Sequence, residues 1–261
     1  NGNQIWNVYD HETSTWSRLL DRPLFDGQGL MNAYYTGPVV GPDGNFHVCW
    51  VWRDTPDCAT NHDLCYARSP DMRTWEQSDG TELVLPISLK TAEVVAPVPP
   101  GGGMINGNTR IGFDAEGRVI LSYHKYDEDG ITQIYNARRE ADGWVHYQAS
   151  DWTYRWEFSG GGSIGFEVSV GSVSVDPDGS LRQSFSNKQD GGGIWRLDPE
   201  TLHFVERAPA GPRRPSSLGR LEDDFPGLSV RIAGDLANSY SQHAPDAARA
   251  SLESNESYIM R

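Results

Sequence analysis

The sequence has few cysteines, few basic residues and no long apolar run, and each shortage excludes a class of protein. Three of the 261 residues are cysteines, an odd number that cannot complete a disulfide framework. Lysine and arginine total 22 against 36 aspartates and glutamates, and the net charge of -14 argues against a nucleic-acid partner. No stretch approaches the roughly 18 consecutive apolar residues of a transmembrane helix, so we expect no membrane partner.

Helical periodicity is also scarce, whereas turn-forming and aromatic residues are abundant. The chain has 28 glycines, 16 prolines, 9 tryptophans and 11 tyrosines. Turn residues between short β-branched and aromatic runs are typical of all-β proteins. We therefore predict an all-β fold whose aromatic side chains fill the core or bind sugar rings.

One strand–turn–strand pattern occurs three times, at residues 39–53, 111–126 and 173–188. Each copy has a turn that ends in glycine, as in Pro42-Asp43-Gly44, which is typical of hairpins. Recurring hairpins predict a radial repeat, a β-propeller of four-stranded antiparallel blades, with a β-sandwich as the alternative. At roughly 40–50 residues per blade, the chain would hold about five or six blades.

The segment Ser69–Trp75 (SPDMRTW) resembles a shortened Asp-box, the turn found in sialidase-like propellers. One residue of that pattern is missing and its glycine is replaced. We expect Asp71 to accept hydrogen bonds from turn amides and Trp75 to pack between sheets. This role is structural and carries no chemistry.

The densest polar and aromatic segment runs from His47 to Ser69. Alternation along a strand at residues 46–53 puts His47 and Arg53 on one face, together with Cys49 and Val51. The same rule puts His62, Leu64 and Tyr66 on one face of the next strand. A histidine beside an arginine suggests a site, and a hydrogen-bonded structural histidine is the alternative.

Cys58, His62 and Cys65 offer thiolate and imidazole groups at a spacing compatible with a metal site. The spacing matches none of the strong zinc-finger patterns. A disulfide and free buried thiols are the open alternatives.

Two further segments combine aromatic and charged residues. The hairpin through Gly130 brings Tyr123 and His124 towards Arg138, and a tyrosine beside an arginine can serve as a base. Arg155 and Trp156, just before a glycine run, suit a rim where a sugar stacks and a guanidinium grips a carboxylate. For the first segment, the alternative is a surface ladder of tyrosines and charged residues. For the second, it is an arginine packed between tryptophans.

Three stretches together, FHVCWVWRDT…NHDLCYARSPDMRTW, LSYHKYDEDGITQIYNAR and SDWTYRWEFSGGG, resemble the BNR-repeat (sialidase-like) propellers. More narrowly, they resemble polysaccharide lyases of the ulvan lyase and rhamnose–glucuronate lyase type. The resemblance covers residues 32–162 and implies a seven-bladed propeller. We expect residues 1–261 to be a single propeller domain, incomplete at one or both ends. We also expect a secreted or periplasmic monomer, with its signal peptide outside this chain, that binds an anionic polysaccharide.

The resemblance implies cleavage at C4 of a uronic acid by β-elimination. A cation neutralises the carboxylate, a base takes the C5 proton, and an acid protonates the leaving oxygen. In this scheme Tyr123 is the base or acid, His62 its partner, His47 a substrate contact and Arg138 the neutralising cation. The chemistry needs no cofactor, and zinc or calcium would be structural. The implied substrate-binding residues are Arg53, His124, Arg139, Arg155 and Trp156.

Two other functions remain open from the sequence. A sialidase-like glycoside hydrolase would need three arginines around a carboxylate, and Arg53, Arg138 and Arg155 are the available ones. It would also need a Tyr–Glu nucleophile pair, which is not evident. A non-catalytic propeller that only binds carbohydrate is the third interpretation.

Overall fold

The structure, a computed structural model, describes residues 3–208 together with the backbone of three strands at 229–232, 239–243 and 258–259. These residues form strands, turns and one short 3-10 helix, Cys58–Thr60, so the predicted all-β class is confirmed. Within the described part of the chain, no helix has the length and apolar character needed to cross a bilayer.

Three four-stranded antiparallel sheets follow one another along the chain, each with its strands in sequence order. The first sheet contains β3 (Asn32–Val40), β4 (Phe46–Arg53), β5 (Asn61–Ser69) and β6 (Glu93–Ala96). The second contains β7 (Arg110–Phe113), β8 (Val119–Tyr126), β9 (Thr132–Glu140) and β10 (Gly143–Gln148). The third contains β11 (Val168–Val175), β12 (Leu181–Asn187), β13 (Gly191–Leu197) and β14 (Phe204–Arg207). The first strands β3, β7 and β11 contact one another in succession, as the inner strands of propeller blades do.

Two smaller sheets complete the described strands. A two-stranded sheet contains β1 (Asn7–Asp10) and β2 (Thr15–Arg18). A three-stranded sheet contains β15 (Ser229–Ile232), β16 (Ser239–His243) and β17 (Tyr258–Ile259). The chain divides into two compact units, Asn1–Ala208 and Pro209–Arg261. The expectation of a single domain stays a prediction.

The three repeated glycine turns join the first and second strands of the three blades. Gly44, Gly117 and Gly179 have φ values of 79°, 78° and 84°, a region that residues with a Cβ rarely adopt. The repeat that was visible in the sequence therefore marks the start of each blade.

The predicted role of Asp71 in the shortened Asp-box is confirmed. Asp71 accepts hydrogen bonds from the backbone amides of Arg73 and Thr74 at 2.8 and 2.7 Å. Trp75 is buried and packs on Trp6 with 6.1 Å between the ring centroids. Met72, with a φ of 63°, takes the left-handed turn position that glycine often fills.

Side chains alternate between two cores, as strand geometry requires. One face of the first blade packs against one face of the second in a core of Cys49, Val51, Leu64, Tyr66, Leu121, Tyr123, Tyr135 and Ala137, with others. The opposite face of the first blade packs on the segment around Leu24 and Phe25 through Val48, Trp50, Trp52, Cys65 and Ala67. The predicted faces of β4 are therefore confirmed for these residues.

The blades present two different ends. At one end, loops of the first and second blades meet. We call it the Arg53 end and define it by residues 53–63, 97–106, 124–133 and 154–160. The amide of Cys58 donates to the Gly160 carbonyl, and the amide of Tyr126 donates to the Gly102 carbonyl, both at 2.8 Å. At the His47 end, defined by residues 41–47, 66–78, 113–118 and 138–140, the rings of His47 and Phe113 lie 5.0 Å apart.

Candidate functional site

The four residues expected to form one catalytic group do not lie together. His47 begins β4 and Arg138 is near the end of β9, so both lie at the His47 end. His62 begins β5 at the Arg53 end. Tyr123 lies between the ends, on the face of β8 opposite to the face that Arg138 occupies on β9, because Tyr123 pairs with Tyr135. The prediction of a single constellation is therefore wrong.

Tyr123 is a core residue in this structure. Its side chain is fully buried, and its hydroxyl lies 2.9 Å from Nδ1 of His146. Burial raises the pKa of Tyr123 far above its usual value, since a phenolate there would lose its hydration. The geometry does not support the predicted role of Tyr123 as a base in contact with substrate.

His47 is held in a buried hydrogen-bond chain. Its Nδ1 lies 2.6 Å from the hydroxyl of Tyr66, and its Nε2 lies 3.0 Å from Asp43. Burial lowers the pKa of His47, although Asp43 opposes that effect. Asn45 and His47 outweigh the burial of Asp43 and lower its pKa to about 2. These contacts are those of a hydrogen-bonded structural histidine, and they fit that interpretation of His47 better than a role in contacting substrate.

Arg138 and Arg139 both serve the structure of the His47 end. The guanidinium of Arg138 is buried, pairs with Glu140, and donates to the carbonyls of Pro199 and Glu200 at 2.6 and 3.0 Å. Arg139 donates to the hydroxyl of Ser78 at 2.8 Å. Neither residue lies at the end that carries His62, so the expected role of Arg138 as the neutralising cation loses its geometric basis.

His62 lies between two carboxylates at the Arg53 end, within hydrogen-bond distance of both. Its Nε2 lies 3.1 Å from Asp54 and its Nδ1 lies 3.0 Å from Asp63. Burial favours the neutral ring, but the hydrogen bonds and charges of Asp63 and Asp54 outweigh it and raise the pKa of His62. A histidine in this setting carries a proton more readily than an ordinary one, which is useful for moving protons.

A bulge in β5 creates this arrangement. Val51 pairs with Leu64 and Trp52 pairs with His62, so Asp63 is an extra residue in the ladder. Asp63 has a φ of 46°, a conformation that aspartate and asparagine adopt more readily than most residues. Its amide donates to the Val98 carbonyl at 3.0 Å, which fixes the bulge.

Arg53 supports the loop beside His62. The guanidinium is buried and donates to the carbonyls of Thr55 and Pro56 and to the side chain of Asn106. No carboxylate lies within ion-pair distance of it among the residues that the structure describes. Arg53 thus orders this loop, and its positive charge acts together with the amides of Ala59 and Gly160, which have the larger effect, to lower the pKa of Asp57.

A pocket of about 300 Å³ opens at the Arg53 end. The guanidinium of Arg155 lies 3.7 Å from the centroid of the Tyr126 ring and donates to the Gly130 carbonyl at 2.6 Å. A Cβ at Gly103 would lie 2.6 Å from the Tyr126 ring, so a glycine is required there to admit that ring. The pocket is lined by Ala59, Gly101, Gly103, Tyr126, Arg155, Glu157, Phe158 and Ser159. Its aromatic rings and guanidinium suit an anionic sugar, whereas the carboxylate of Glu157, 3.8 Å from Arg155, opposes one.

His124 and Trp156 lie behind this pocket instead of lining it. Both are buried, with 5.3 Å between their ring centroids, and Phe158 packs on Trp156 at 4.7 Å. Burial lowers the pKa of His124 to about 4. Of the five residues expected to bind substrate, only Arg155 reaches the pocket.

The residues proposed to bind a metal ion do not fit one. Cys58 packs with Ile105 and Trp156, whereas Cys65 packs with Trp50 in a different core. The described residues contain no group of three or more His, Cys, Asp or Glu that could hold a metal ion. The structure therefore corrects the prediction of a metal site at Cys58, His62 and Cys65. Cys49, Cys58 and Cys65 are free buried thiols, as the alternative interpretation held.

Sequence reasoning missed the residues that complete the site. Tyr126, Glu157 and Phe158 line the pocket, and Asp54 and Asp63 flank His62. Strand alternation offered a signal for Tyr126, because it lies on the same face of β8 as His124, at the turn end of the β8–β9 hairpin. Nothing in the sequence indicated the bulge at Asp63.

The repeated four-stranded sheets and their order define the protein as a β-propeller. The chain belongs to the BNR repeat-containing family, whose sequence model matches residues 1–152. No curated protein sequence matches it.

Two solved structures that resemble the chain are those of a polysaccharide lyase of family PL25, an ulvan lyase. The complex of that enzyme with -[GlcA(1-4)Rha3S]- has a TM-score of 0.59 at 15% identity and covers 93% of this chain. The structure described without that ligand has a TM-score of 0.60 at 14% identity and covers 94%. At these identities the likeness shows the fold. The chain spans 56% and 57% of the length of those two chains.

Proposed function

We propose that this chain belongs to a polysaccharide lyase that cleaves a uronic-acid-containing polysaccharide, of the ulvan or rhamnose–glucuronate kind, by β-elimination. The observation that carries the proposal is the placement of two features at one end of the blades. These are the cationic, aromatic pocket of Arg155 and the imidazole of His62 between two carboxylates. The similar fold of an ulvan lyase that binds a glucuronate-containing chain supports the substrate class.

Arg155 is proposed to bind and neutralise the uronate carboxylate. The C5 proton of a uronate becomes acidic only when the charge that develops on the carboxylate is stabilised. The Arg155 side chain is 40% exposed, its Nε lies 3.8 Å from Glu157, and its stacking on Tyr126 fixes the plane of the guanidinium. A planar guanidinium can donate two hydrogen bonds to one carboxylate, which fixes the ring that carries it.

His62 is proposed to move the proton. In its neutral form the ring would accept the proton from C5, and the electron pair of that bond would form the C4–C5 double bond as the C4–O4 bond breaks. The imidazolium would then return its proton to the leaving O4. The His62 side chain is itself only 7% exposed, whereas that of Asp54 beside Nε2 is 38% exposed and that of Asp63 beside Nδ1 is 22% exposed, so we propose that substrate approaches from the Asp54 side.

The placement of the arginines favours elimination over sialidase-type hydrolysis. Hydrolysis of that type needs three arginines around one carboxylate, and Arg138 lies at the opposite end from Arg53 and Arg155. A site with one accessible arginine and one proton-carrying histidine is closer to the needs of a lyase.

The proposal is tested by incubating the chain with ulvan, polygalacturonate and a glucuronate-capped arabinogalactan. Elimination produces an unsaturated uronate, so ultraviolet absorbance would rise together with new reducing ends. New reducing ends without absorbance would establish hydrolysis and overturn the proposal. His62→Gln should abolish the rise and Arg155→Ala should slow it at substrate concentrations below KM, whereas Ser17→Ala, on the separate two-stranded sheet, should leave it unchanged.

A further inference from the structure

The hairpin of β1 and β2 presents an aromatic face that nothing else in the described chain covers. Tyr9 pairs with Trp16 across the hairpin, and their rings lie 5.1 Å apart at an interplanar angle of 47°. Trp16 is 71% exposed and Tyr9 is 47% exposed. Leaving two adjacent aromatic rings in water costs hydrophobic free energy, so such a pair commonly marks a binding surface.

Two polar side chains extend the same face. Directly paired residues of an antiparallel hairpin point to one side, and Asn7 pairs with Arg18 two positions from the aromatic pair. Both are exposed. Within the described residues, no acidic group lies within ion-pair distance of Arg18. The face therefore combines two stacking rings, an amide and an unpaired guanidinium.

The hairpin is held in place by residues outside this face. The amide of Leu19 donates to the Trp6 carbonyl at 3.0 Å, and Trp6 packs on Trp75 and Tyr35. At the turn, Asp10 accepts from the amides of Glu12 and Thr13. The rings of Tyr9 and Trp16 are therefore not needed to anchor the hairpin. The anchored hairpin in turn fixes the position of both rings.

We infer that the face formed by Asn7, Tyr9, Trp16 and Arg18 is a second carbohydrate-binding site, for an anionic polysaccharide. The apolar C–H face of a pyranose ring can stack on the exposed indole. Arg18 then supplies the positive charge that a uronate or sulfate group needs, on a chain whose net charge is -14. The ligand class rests on the proposed function, but binding at this face requires no catalysis. It would hold the polymer while another part of it occupies the pocket, which raises its effective concentration there.

Affinity electrophoresis in gels that contain polygalacturonate or ulvan tests this inference, with hydroxyethyl cellulose as the neutral gel. The measurements are made in an Arg155→Ala background, which removes the cation of the pocket. Trp16→Ala should weaken retention in the anionic gels by about five- to tenfold, the loss expected for one aromatic contact. Arg18→Glu should weaken it at least as much, because it replaces the cation of this face with an anion. Ser17→Ala, on the opposite face of the same strand, is the matched control and should be retained like the background protein.

Three results would overturn the inference. The first is equal retention of Trp16→Ala and Ser17→Ala, and the second is no retention of the Arg155→Ala protein in either anionic gel. The third is a fall in mass by light scattering for Trp16→Ala alone, which would make this face a contact between copies of the chain. Because retention is read without turnover, a failure of the lyase assay leaves this test intact.

Discussion

The hydroxyl of Tyr123 and Nδ1 of His146 lie 2.9 Å apart, on the second and fourth strands of one blade. The hydrogen bond closes the edge of the core between the first two blades. It gives the phenol a partner that is not substrate, and Tyr123 is not among the residues that line the pocket at the Arg53 end.

Tyr123→Phe should lower stability and leave turnover unchanged. The variant loses one hydrogen bond and leaves Nδ1 of His146 without its partner, so we expect a loss of about 1 kcal/mol in the free energy of unfolding. Urea unfolding followed by tryptophan fluorescence measures it. A large fall in kcat at unchanged stability would restore Tyr123 as a catalytic candidate.

Arg138→Met should be more damaging to the fold than to the chemistry. The substitution leaves Glu140 without its buried cation and removes the donors to the Pro199 and Glu200 carbonyls. Because Glu140 keeps its ion pair with Arg118 at 2.7 Å, the cost should fall below the roughly 3–5 kcal/mol of a fully broken buried pair. We expect a lower urea midpoint and an unchanged KM in the protein that remains folded. A raised KM without loss of stability would contradict this assignment.

Strand alternation predicted the faces of the blades but not which strand ends carry the site. The bounds of β4 and the split between Cys49 and Trp50 followed from period two. The same rule, carried across the hairpin from Tyr123 to Arg138, already places the two residues on opposite faces. The bulge at Asp63 depends on tertiary contacts such as its bond to the Val98 carbonyl, so no local pattern announced it.

Arg155→Ala should weaken substrate binding without unfolding the chain. The guanidinium is partly exposed and its contacts are a carbonyl, a ring face and a distant carboxylate, so the fold depends little on it. Loss of a charged hydrogen bond to a uronate corresponds to roughly ten- to a hundredfold in KM. Glu157→Gln removes the neighbouring negative charge and should lower KM instead. Equal KM values for wild type and Arg155→Ala would place the carboxylate elsewhere.

His124→Phe should flatten the acid limb of the stability profile. Burial lowers the pKa of His124 from 6.5 to about 4, so the unfolded chain binds a proton more readily than the folded one between these values. Wild-type stability should therefore fall as the pH drops from 6.5 towards 4. Among the described residues the one polar group that acts on the His124 ring is the Gly103 backbone, and its contact is too poorly aligned to satisfy either ring nitrogen, so phenylalanine removes little hydrogen bonding at neutral pH. Denaturant midpoints at pH 7 and pH 4.5 test this, and an equal fall in both proteins would contradict it.

Asp63→Asn should move the pH dependence of turnover towards lower pH. The carboxylate of Asp63 is a main cause of the raised pKa of His62, and asparagine keeps a hydrogen-bonding oxygen but not the charge. Asparagine also tolerates the positive φ at this position, so the bulge should persist where alanine would be strained. If neutral His62 accepts the C5 proton, activity rises with pH through the pKa of His62, and that limb should shift down in the variant.

The stability profile gives an independent reading of the same group. A raised pKa stabilises the folded state below the ordinary value of 6.5, and this contribution is lost as the pH rises through the pKa of folded His62. Asp63→Asn should reduce that contribution. NMR titration of the His62 ring measures the pKa directly, and Asp54→Asn is the matched variant on the other ring nitrogen. If the pKa of His62 falls while the activity limb stays in place, a different group moves the proton.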